Sequence, residues 1–183
     1  MAAAALALLD EGGLTAVTIA AVSNRSGHSN GSLYHRFGNR IGLIGAVQAQ
    51  LLDRIEAESA AAFHKATEDL DDRAAVERIV GTYVAIFSHH RRALRALMIE
   101  GQDVEPLRTR GQETSHRIQQ WAVEWFSTRF DCSTARAGEA VFVTLSSAMN
   151  RVFFDDEMLM HRPLDDADLV AALVTAVLAL VTD

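Results

Sequence analysis

Residues Thr18–Leu43 read TIAAVSNRSGHSNGSLYHRFGNRIGL, and this stretch decides the fold of the N-terminal part of the chain. Two short helix-forming runs flank Ser26-Gly27-His28, and a further run begins near Arg40. Gly27 stands where a helix must turn sharply, and glycine accepts a positive φ without steric cost. Ser29 follows as a candidate N-cap for the next helix. The stretch therefore predicts two short helices joined by a tight turn.

The helix that begins at Ser29 has an inward face and an outward face. Leu33 and Phe37 lie four residues apart, which is the spacing of neighbours on one buried helix face. The remaining positions carry small or polar side chains: Asn30, Gly31, Ser32, Tyr34, His35 and Arg36. A polar helix held at a fixed angle to a preceding helix is the helix-turn-helix arrangement that reads a DNA major groove.

This segment resembles the DNA-binding domain of the TetR family of one-component transcriptional regulators. The resemblance rests on the turn glycine, Gly27, and on the L-Y-H-x-F run from Leu33 to Phe37. The other matching residues are Ala5, Leu8, Leu9, Gly12, Gly13, Thr18, Ser29, Gly31, Ser32, Asn39, Arg40 and Leu43. The motif covers roughly the first quarter of the chain, and beyond about residue 55 only length and a helical pattern agree.

The resemblance implies DNA contacts for several residues. As the N-cap of the second helix, Thr18 would point free backbone N–H groups at a phosphate. Asn30 can pair with an adenine edge, Gly31 lets the backbone approach closely, and Arg40 corresponds to the family's phosphate-contacting lysine. The predicted DNA-binding residues are Thr18, Ser29, Asn30, Gly31, Ser32, Tyr34, His35 and Arg40. The structural alternatives are a plain N-cap for Thr18 and a solvated surface cation for Arg40.

Composition limits the class of protein. A chain of 183 residues, 49% of them hydrophobic, suits a small head on a larger helical body. The single cysteine, Cys132, excludes a disulfide framework within the chain and fits a reducing compartment. The apolar run Leu169–Val181 is too short to span a bilayer, and Met1 is followed by no basic signal-peptide region. We therefore expect a cytoplasmic protein without a membrane partner, and because Met1 falls inside the first helix, we expect the family's basic N-terminal arm to be absent.

The formal net charge of −7 is unusual for a protein that must approach phosphates. Residues 1–54, however, hold four arginines against three acidic residues, a balance of +1, so the remainder carries −8. A weakly basic head on an acidic body is compatible with docking through the head alone, with an affinity that depends steeply on salt.

The rest of the chain shows helical periodicity and no useful β-alternation. Val76, Ile79, Val80, Tyr83, Val84 and Phe87, for example, follow the spacing of one helix face. We expect an all-α fold of about nine helices, with a three-helix, helix-turn-helix DNA-binding head over residues 1–45 and a helical ligand-binding and dimerisation body over residues 46–183. The last two long helices, about Arg136–Phe154 and Leu169–Val181, are apolar on more than one face, so they are expected to form a homodimer interface that a charge at Val177 or Leu178 would disrupt.

These features predict a DNA-binding transcriptional regulator, a repressor released from a palindromic double-stranded operator by an unidentified small-molecule inducer. The candidate ligand-lining residues, which could instead fill the core, are Phe87, Met98, His116, Trp121, Trp125 and Met149. The alternatives are a helical-bundle metal-binding protein, for which Glu113 and His116 supply one E-x-x-H pair but no second pair follows, and a protein-interaction module with a degenerate DNA-binding head. No hydrolase, P-loop or zinc-protease motif occurs, so no enzymatic activity, catalytic residue, metal site or cofactor is expected.

Overall fold

The computed structural model describes residues 1–65, 69–154 and 165–182, and over these ranges the chain is helical without a β-strand. The helices are α1 (Ala2–Ala16), α2 (Ile19–Ser26), α3 (Asn30–Phe37), α4 (Arg40–Lys65), α5 (Asp72–His89), α6 (Arg91–Arg95), α7 (Glu105–Phe130), α8 (Thr134–Phe153) and α9 (Asp166–Thr182). A π-helical turn, Ala96–Glu100, directly follows α6. The all-α prediction, with a three-helix head first, is therefore confirmed.

The first helix is interrupted where two glycines predict its end. Gly12 and Gly13 have non-helical backbone angles, and Gly13 has φ 66° and ψ −164°, a region that is essentially restricted to glycine. One further turn then leads to Val17, which is 1% exposed. The chain passes from this turn directly into α2.

The predicted N-caps of α2 and α3 are confirmed. The Thr18 hydroxyl accepts the Ala21 N–H at 3.1 Å, and the Ser29 hydroxyl accepts the Ser32 N–H at 3.2 Å. Both cap residues have extended backbone angles, as N-caps require. Local side-chain chemistry thus fixes where each short helix begins.

The structure divides the chain into two compact units. The first unit comprises Met1–Arg54 and His90–Glu113, so it contains the head, α6, the π-helical turn and the first part of α7. The second unit comprises Ile55–His89 and Thr114–Asp183. The functional division expected between residues 45 and 46 falls within the first unit and remains a prediction.

The two units differ in formal net charge by more than residues 1–54 differ from the rest of the chain. The first unit has nine arginines and seven acidic residues, a formal +2, whereas the second has eight basic and seventeen acidic residues, a formal −9. The basic character of the chain is therefore confined to the unit that contains the helix-turn-helix.

Apolar side chains fill the interior of each unit. In the first unit Leu9, Val22 and Leu33 are buried, while Phe37, expected in the core with Leu33, is only half-buried. In the second unit α5, α8 and α9 pack against one another around fully buried residues such as Val76, Val80, Ala140 and Val177. The sequence predicts a break in the helical pattern at Pro163, and this position lies outside the described residues.

Candidate nucleic-acid interface

The third helix turns its leucine inward and its polar residues outward. Leu33 is fully buried, whereas the neighbouring Tyr34 side chain is 54% exposed. Asn30, which begins the helix, is also exposed. Gly31, Ser32, His35 and Arg36 together line one shallow depression on the outward face. The structure therefore brings the predicted contacts of α3 onto one accessible surface.

The turn between α2 and α3 is fixed by local hydrogen bonds. Gly27 has φ 71°, and a Cβ atom added there would meet nothing within 4 Å, so the backbone conformation rather than crowding requires glycine. The Ser23 hydroxyl donates to the His28 carbonyl across the turn at 2.6 Å. These contacts set the path of the chain from one helix to the next.

Arg40 is exposed, but its guanidinium is hydrogen-bonded to the backbone of the head. Its Nε donates to the Val17 carbonyl at 2.8 Å, and its Nη2 donates to the Leu14 carbonyl. The side chain thereby connects the first residue of α4 to the turn between α1 and α2. The predicted phosphate contact of Arg40 would have to be made by the donors that remain, and it stays a prediction.

Arg25 is also engaged by a side chain of the head. It forms a bidentate ion pair with Glu11, with nitrogen–oxygen distances of 2.5 and 2.6 Å. The side-chain hydrogen bond, more than the charge, lowers the pKa of the Glu11 carboxyl and raises the pKa of Arg25. This exposed pair joins α1 to α2.

Arg36 is an exposed cation on α3 that is not among the predicted DNA-binding residues. It lies on the outward face of α3, with its guanidinium carbon 5.6 Å from the centroid of the half-buried Phe37 ring. It forms no ion pair with any described residue, unlike Arg25. The signal that could have found it is its position one turn after Ser32, which places both on the same helix face.

The candidate ligand-lining residues are not gathered at one described pocket. Met98 belongs to the first unit and the others belong to the second. Trp125 packs against aromatic rings, with its centroid 5.0 Å from that of Phe126 and 6.3 Å from that of Phe63. His116 is exposed, and its Nε2 lies 2.9 Å from Nε2 of Gln120.

Phe87, Met98, Trp121 and Met149 are half-buried. An open groove on the second unit is lined by other residues, namely Glu58, Ala61, Ala62, Arg78, Thr82, Ala85, Ile86 and His89. The position of a ligand site therefore remains a prediction.

Two negative findings concern the described residues only. No three histidine, cysteine, aspartate or glutamate side chains in these ranges come together in the way that a metal ion would require. None of the described helices combines the length and apolarity needed to cross a bilayer.

The sequence of the head matches a known family. Residues 2–47 match the family model described as bacterial regulatory proteins of the tetR family. The head is a TetR-family domain. The resemblance predicted from the turn glycine and the L-Y-H-x-F run is thereby confirmed, and the match spans α1 to the first two turns of α4.

Solved structures extend the likeness in shape beyond the TetR-family head. A transcriptional regulator from Rhodococcus sp. Rha1 is 17% identical with a TM-score of 0.75, and the alignment covers 100% of this chain and 96% of that one. A TetR-family regulator from Streptomyces coelicolor is 18% identical with a TM-score of 0.73, over 98% of this chain and 79% of that one. A TetR/AcrR-family regulator from Thermobifida fusca YX-ER1 is 13% identical with a TM-score of 0.71, over 97% and 93%. At these identities the likeness shows the fold, and comparison with curated proteins gives no sequence match.

Proposed function

We propose that this chain is a transcriptional repressor that binds a near-palindromic DNA operator as a homodimer. The observation that carries the proposal is the polar surface of α3, where Asn30, Ser32 and His35 are exposed while Leu33 is fully buried. A helix anchored in this way can enter a major groove with its polar side chains toward the base edges. The formal +2 of the first unit, against −9 for the second, favours an approach through the head.

Contacts to the DNA backbone would position the head without reading sequence. Thr18 caps α2 and leaves backbone N–H groups at that helix N-terminus available to a phosphate. Tyr34 and Arg36 are exposed on α3 and can reach phosphate oxygens on either side of the groove. Arg36 is thus proposed as a phosphate contact in addition to the residues inferred from the family resemblance.

Dimerisation is proposed to occur through α8 and α9. Phe142 on α8 is 71% exposed, which is the highest exposure among the large hydrophobic side chains of the described residues. Between Leu169 and Val181, the exposed positions of α9 are occupied by small residues, namely Ala171, Ala172, Thr175, Ala176 and Ala179. Small residues let a partner helix approach closely, and a two-fold axis would pair these helices into a four-helix bundle.

Release from DNA is proposed to follow binding of a small molecule to the second unit. The helices α4 and α7 each contribute residues to both units, and we propose that they carry the effect of the ligand to the first unit. A ligand that lowers DNA affinity 100-fold must favour the unbound conformation by about 2.7 kcal/mol.

The proposal is tested by selecting duplexes from a random-sequence library with the full chain. We expect a near-palindromic site whose half-sites lie about one helical turn apart, roughly 34–36 Å, or somewhat more. Recovery of no preferred sequence would overturn the proposed function.

The selected duplex then tests the role of Asn30. We expect Asn30→Ala to lose about 1–3 kcal/mol of discrimination at one base pair of each half-site, because its amide would pair with a base edge. The matched control is Gln50→Ala, which removes an exposed amide from α4. If Asn30→Ala weakens binding to selected and random duplexes equally, Asn30 does not read a base.

A further inference from the structure

The turn between α1 and α2 is held from two sides by side chains that are distant in sequence. Glu100 Oε2 accepts the Leu14 N–H at 2.9 Å, although the two residues are 86 positions apart. On the other side, the Arg40 guanidinium donates to the Leu14 and Val17 carbonyls. All of these residues belong to the first unit. The held segment leads directly into Thr18, the N-cap of α2, so its position helps to set the position of the helix-turn-helix.

The absence of a side chain at residue 13 leaves room for the Glu100 carboxylate beside this turn. A Cβ atom at Gly13 would lie 2.6 Å from Glu100 Oε1 and 3.0 Å from Oε2, so the carboxylate would have to move away from its present position. The backbone angles of Gly13, φ 66° and ψ −164°, independently demand glycine. The carboxylate therefore occupies the space that a side chain would fill.

The element that carries Glu100 has an uncommon geometry. Glu100 is the last residue of the π-helical turn Ala96–Glu100, and the Gly101 N–H donates to the Ala96 carbonyl, five residues back, at 3.1 Å. π-Helical turns are rare and occur frequently at functional sites. A change from π to α spacing would rotate the following residue by about 100° around the helix axis, because an α-helix has 3.6 residues per turn. Such a rotation would remove the carboxylate from the Leu14 N–H.

We propose that Glu100 and the π-helical turn form a switch that holds the TetR-family head in its DNA-binding arrangement. In the engaged state Glu100 accepts the Leu14 N–H, so the α1–α2 turn is hydrogen-bonded to Glu100 on one side and to Arg40 on the other. In the released state the π-helical turn takes α spacing, and the hydrogen bond between Glu100 and Leu14 is lost. This inference rests on the proposed function, since its consequence is a change in DNA affinity. By thermodynamic linkage, DNA bound at α3 must in turn stabilise the π-helical turn.

Amide hydrogen exchange on the full chain without DNA tests the contact itself. We expect Glu100→Ala to speed exchange at the Leu14 amide by about tenfold, because that N–H loses its acceptor, and to change the exchange rate at the Gly101 amide, because its acceptor shifts from the Ala96 carbonyl to the Leu97 carbonyl. The matched control is Asp103→Ala, which removes an exposed carboxylate three residues away and should leave both amides unchanged. The Val80 amide in the second unit reports any general loss of stability. Equal exchange at Leu14 in the two variants would overturn the proposal.

Adding the selected duplex distinguishes a switch from a passive structural contact. In the wild-type chain we expect DNA to slow exchange at Leu14 and to change exchange at Gly101, and in Glu100→Ala to slow exchange in α3 without an effect at Gly101. A Gly101 amide that does not respond to DNA in the wild-type chain would show that the contact is structural and would overturn the switch.

Two glycine variants test the coupling between the α1–α2 turn and the π-helical turn without DNA, so this test holds even if no preferred duplex is found and the proposed function fails. Gly13→Ala should displace the Glu100 carboxylate and change the exchange rate at Gly101, whereas Gly27→Ala, at a positive φ with open space around it, should not. If both variants leave Gly101 exchange unchanged, the α1–α2 turn and the π-helical turn are not coupled.

Discussion

Arg36 and Arg40 lie four residues apart and look equivalent in the sequence, yet their surroundings differ. Arg36 extends from α3 beside the Phe37 ring, whereas Arg40 donates to the carbonyls of Leu14 and Val17. Those carbonyls are 26 and 23 positions away in the chain, so no local pattern could reveal them. Sequence reasoning located the polar face of α3 because helical periodicity is local, and it missed the engagement of Arg40 because that contact is tertiary.

Alanine substitution separates the roles of the two arginines. Arg40→Ala should lower the free energy of unfolding by about 1–3 kcal/mol, because it removes charge-assisted hydrogen bonds to two carbonyls. Arg36→Ala should leave stability unchanged but flatten the dependence of log affinity on log salt by about one unit. Thermal unfolding and duplex titration at several salt concentrations measure these effects. A full-unit change in salt slope for Arg40→Ala, with stability intact, would instead support its predicted phosphate contact.

Tyr83 is a buried residue, and the burial of its hydroxyl costs free energy on folding. Its side chain is 3% exposed, and neither its hydroxyl nor that of the buried Ser59 has a hydrogen-bond partner of acceptable geometry among the described residues. Burial raises the pKa of Tyr83 far above its ordinary value, and the nearby Ser59 hydroxyl lowers it by less. The folded state therefore disfavours the phenolate strongly.

A pH dependence follows from this shift. Above about pH 10 the unfolded chain loses the tyrosine proton while the folded chain retains it, so the free energy of unfolding should fall as pH rises. Tyr83→Phe should remove this fall and cost little stability at neutral pH, because the lost hydroxyl is unpaired. Denaturant unfolding at pH 8 and pH 10.5 measures both effects, with Tyr34→Phe, at an exposed position, as the control. An identical alkaline loss in wild type and Tyr83→Phe would contradict the assignment.

At the scale of elements, the sequence predicted best those features that depend on neighbouring residues. The N-caps predicted at Thr18 and Ser29 and the interruption at Gly12-Gly13 agree with the structure. The π-helical turn was not predicted, because an i to i+5 hydrogen bond leaves no compositional signature. Which side of an apolar helix faces inward also depends on tertiary packing.

The last helix illustrates this limit. Val177 is fully buried within the protomer and Leu178 is half-buried, so a charge at Val177 tests the core rather than a dimer interface. The better probe of the proposed interface is Phe142, which is 71% exposed. Phe142→Glu should give a monomer that unfolds at nearly the wild-type temperature, since the protomer core is untouched. Light scattering and thermal unfolding measure the two quantities.

Two outcomes of that experiment would contradict the proposed interface. One is a wild-type chain that remains monomeric at micromolar concentration. The other is a Phe142→Glu variant that remains dimeric with unchanged affinity between protomers.

At the scale of the whole molecule, the similarity in sequence covers much less of the chain than the similarity in structure. The family match covers residues 2–47, whereas the structural likeness covers 97–100% of the chain at 13–18% identity in the regulators compared above. A helical body needs only apolar residues at suitable spacing, and many sequences supply them. The head must also present particular side chains outward, so its sequence is more restricted and more readily recognised.

Tryptophan emission can test the proposed ligand control. A compound that lowers DNA affinity should also change the emission if it binds near Trp121 or Trp125, both half-buried in the second unit. Trp121→Phe and Trp125→Phe should identify which residue reports the change and should weaken the response to the compound. If compounds that release DNA alter neither the emission nor the behaviour of the variants, the ligand binds elsewhere.

The π-helical turn at Ala96–Glu100 also has a consequence for insertions and deletions. A single-residue deletion within a helix ordinarily breaks the register of everything that follows. Here the turn contains one residue more than an α-helical turn, so deletion of one residue between Ala96 and Glu100 would restore regular spacing and leave an unbroken helix. The deletion would instead destabilise the α1–α2 turn, because the Glu100 carboxylate would no longer accept the Leu14 N–H. At this point of the chain, the number of residues therefore decides whether Glu100 can reach the Leu14 N–H.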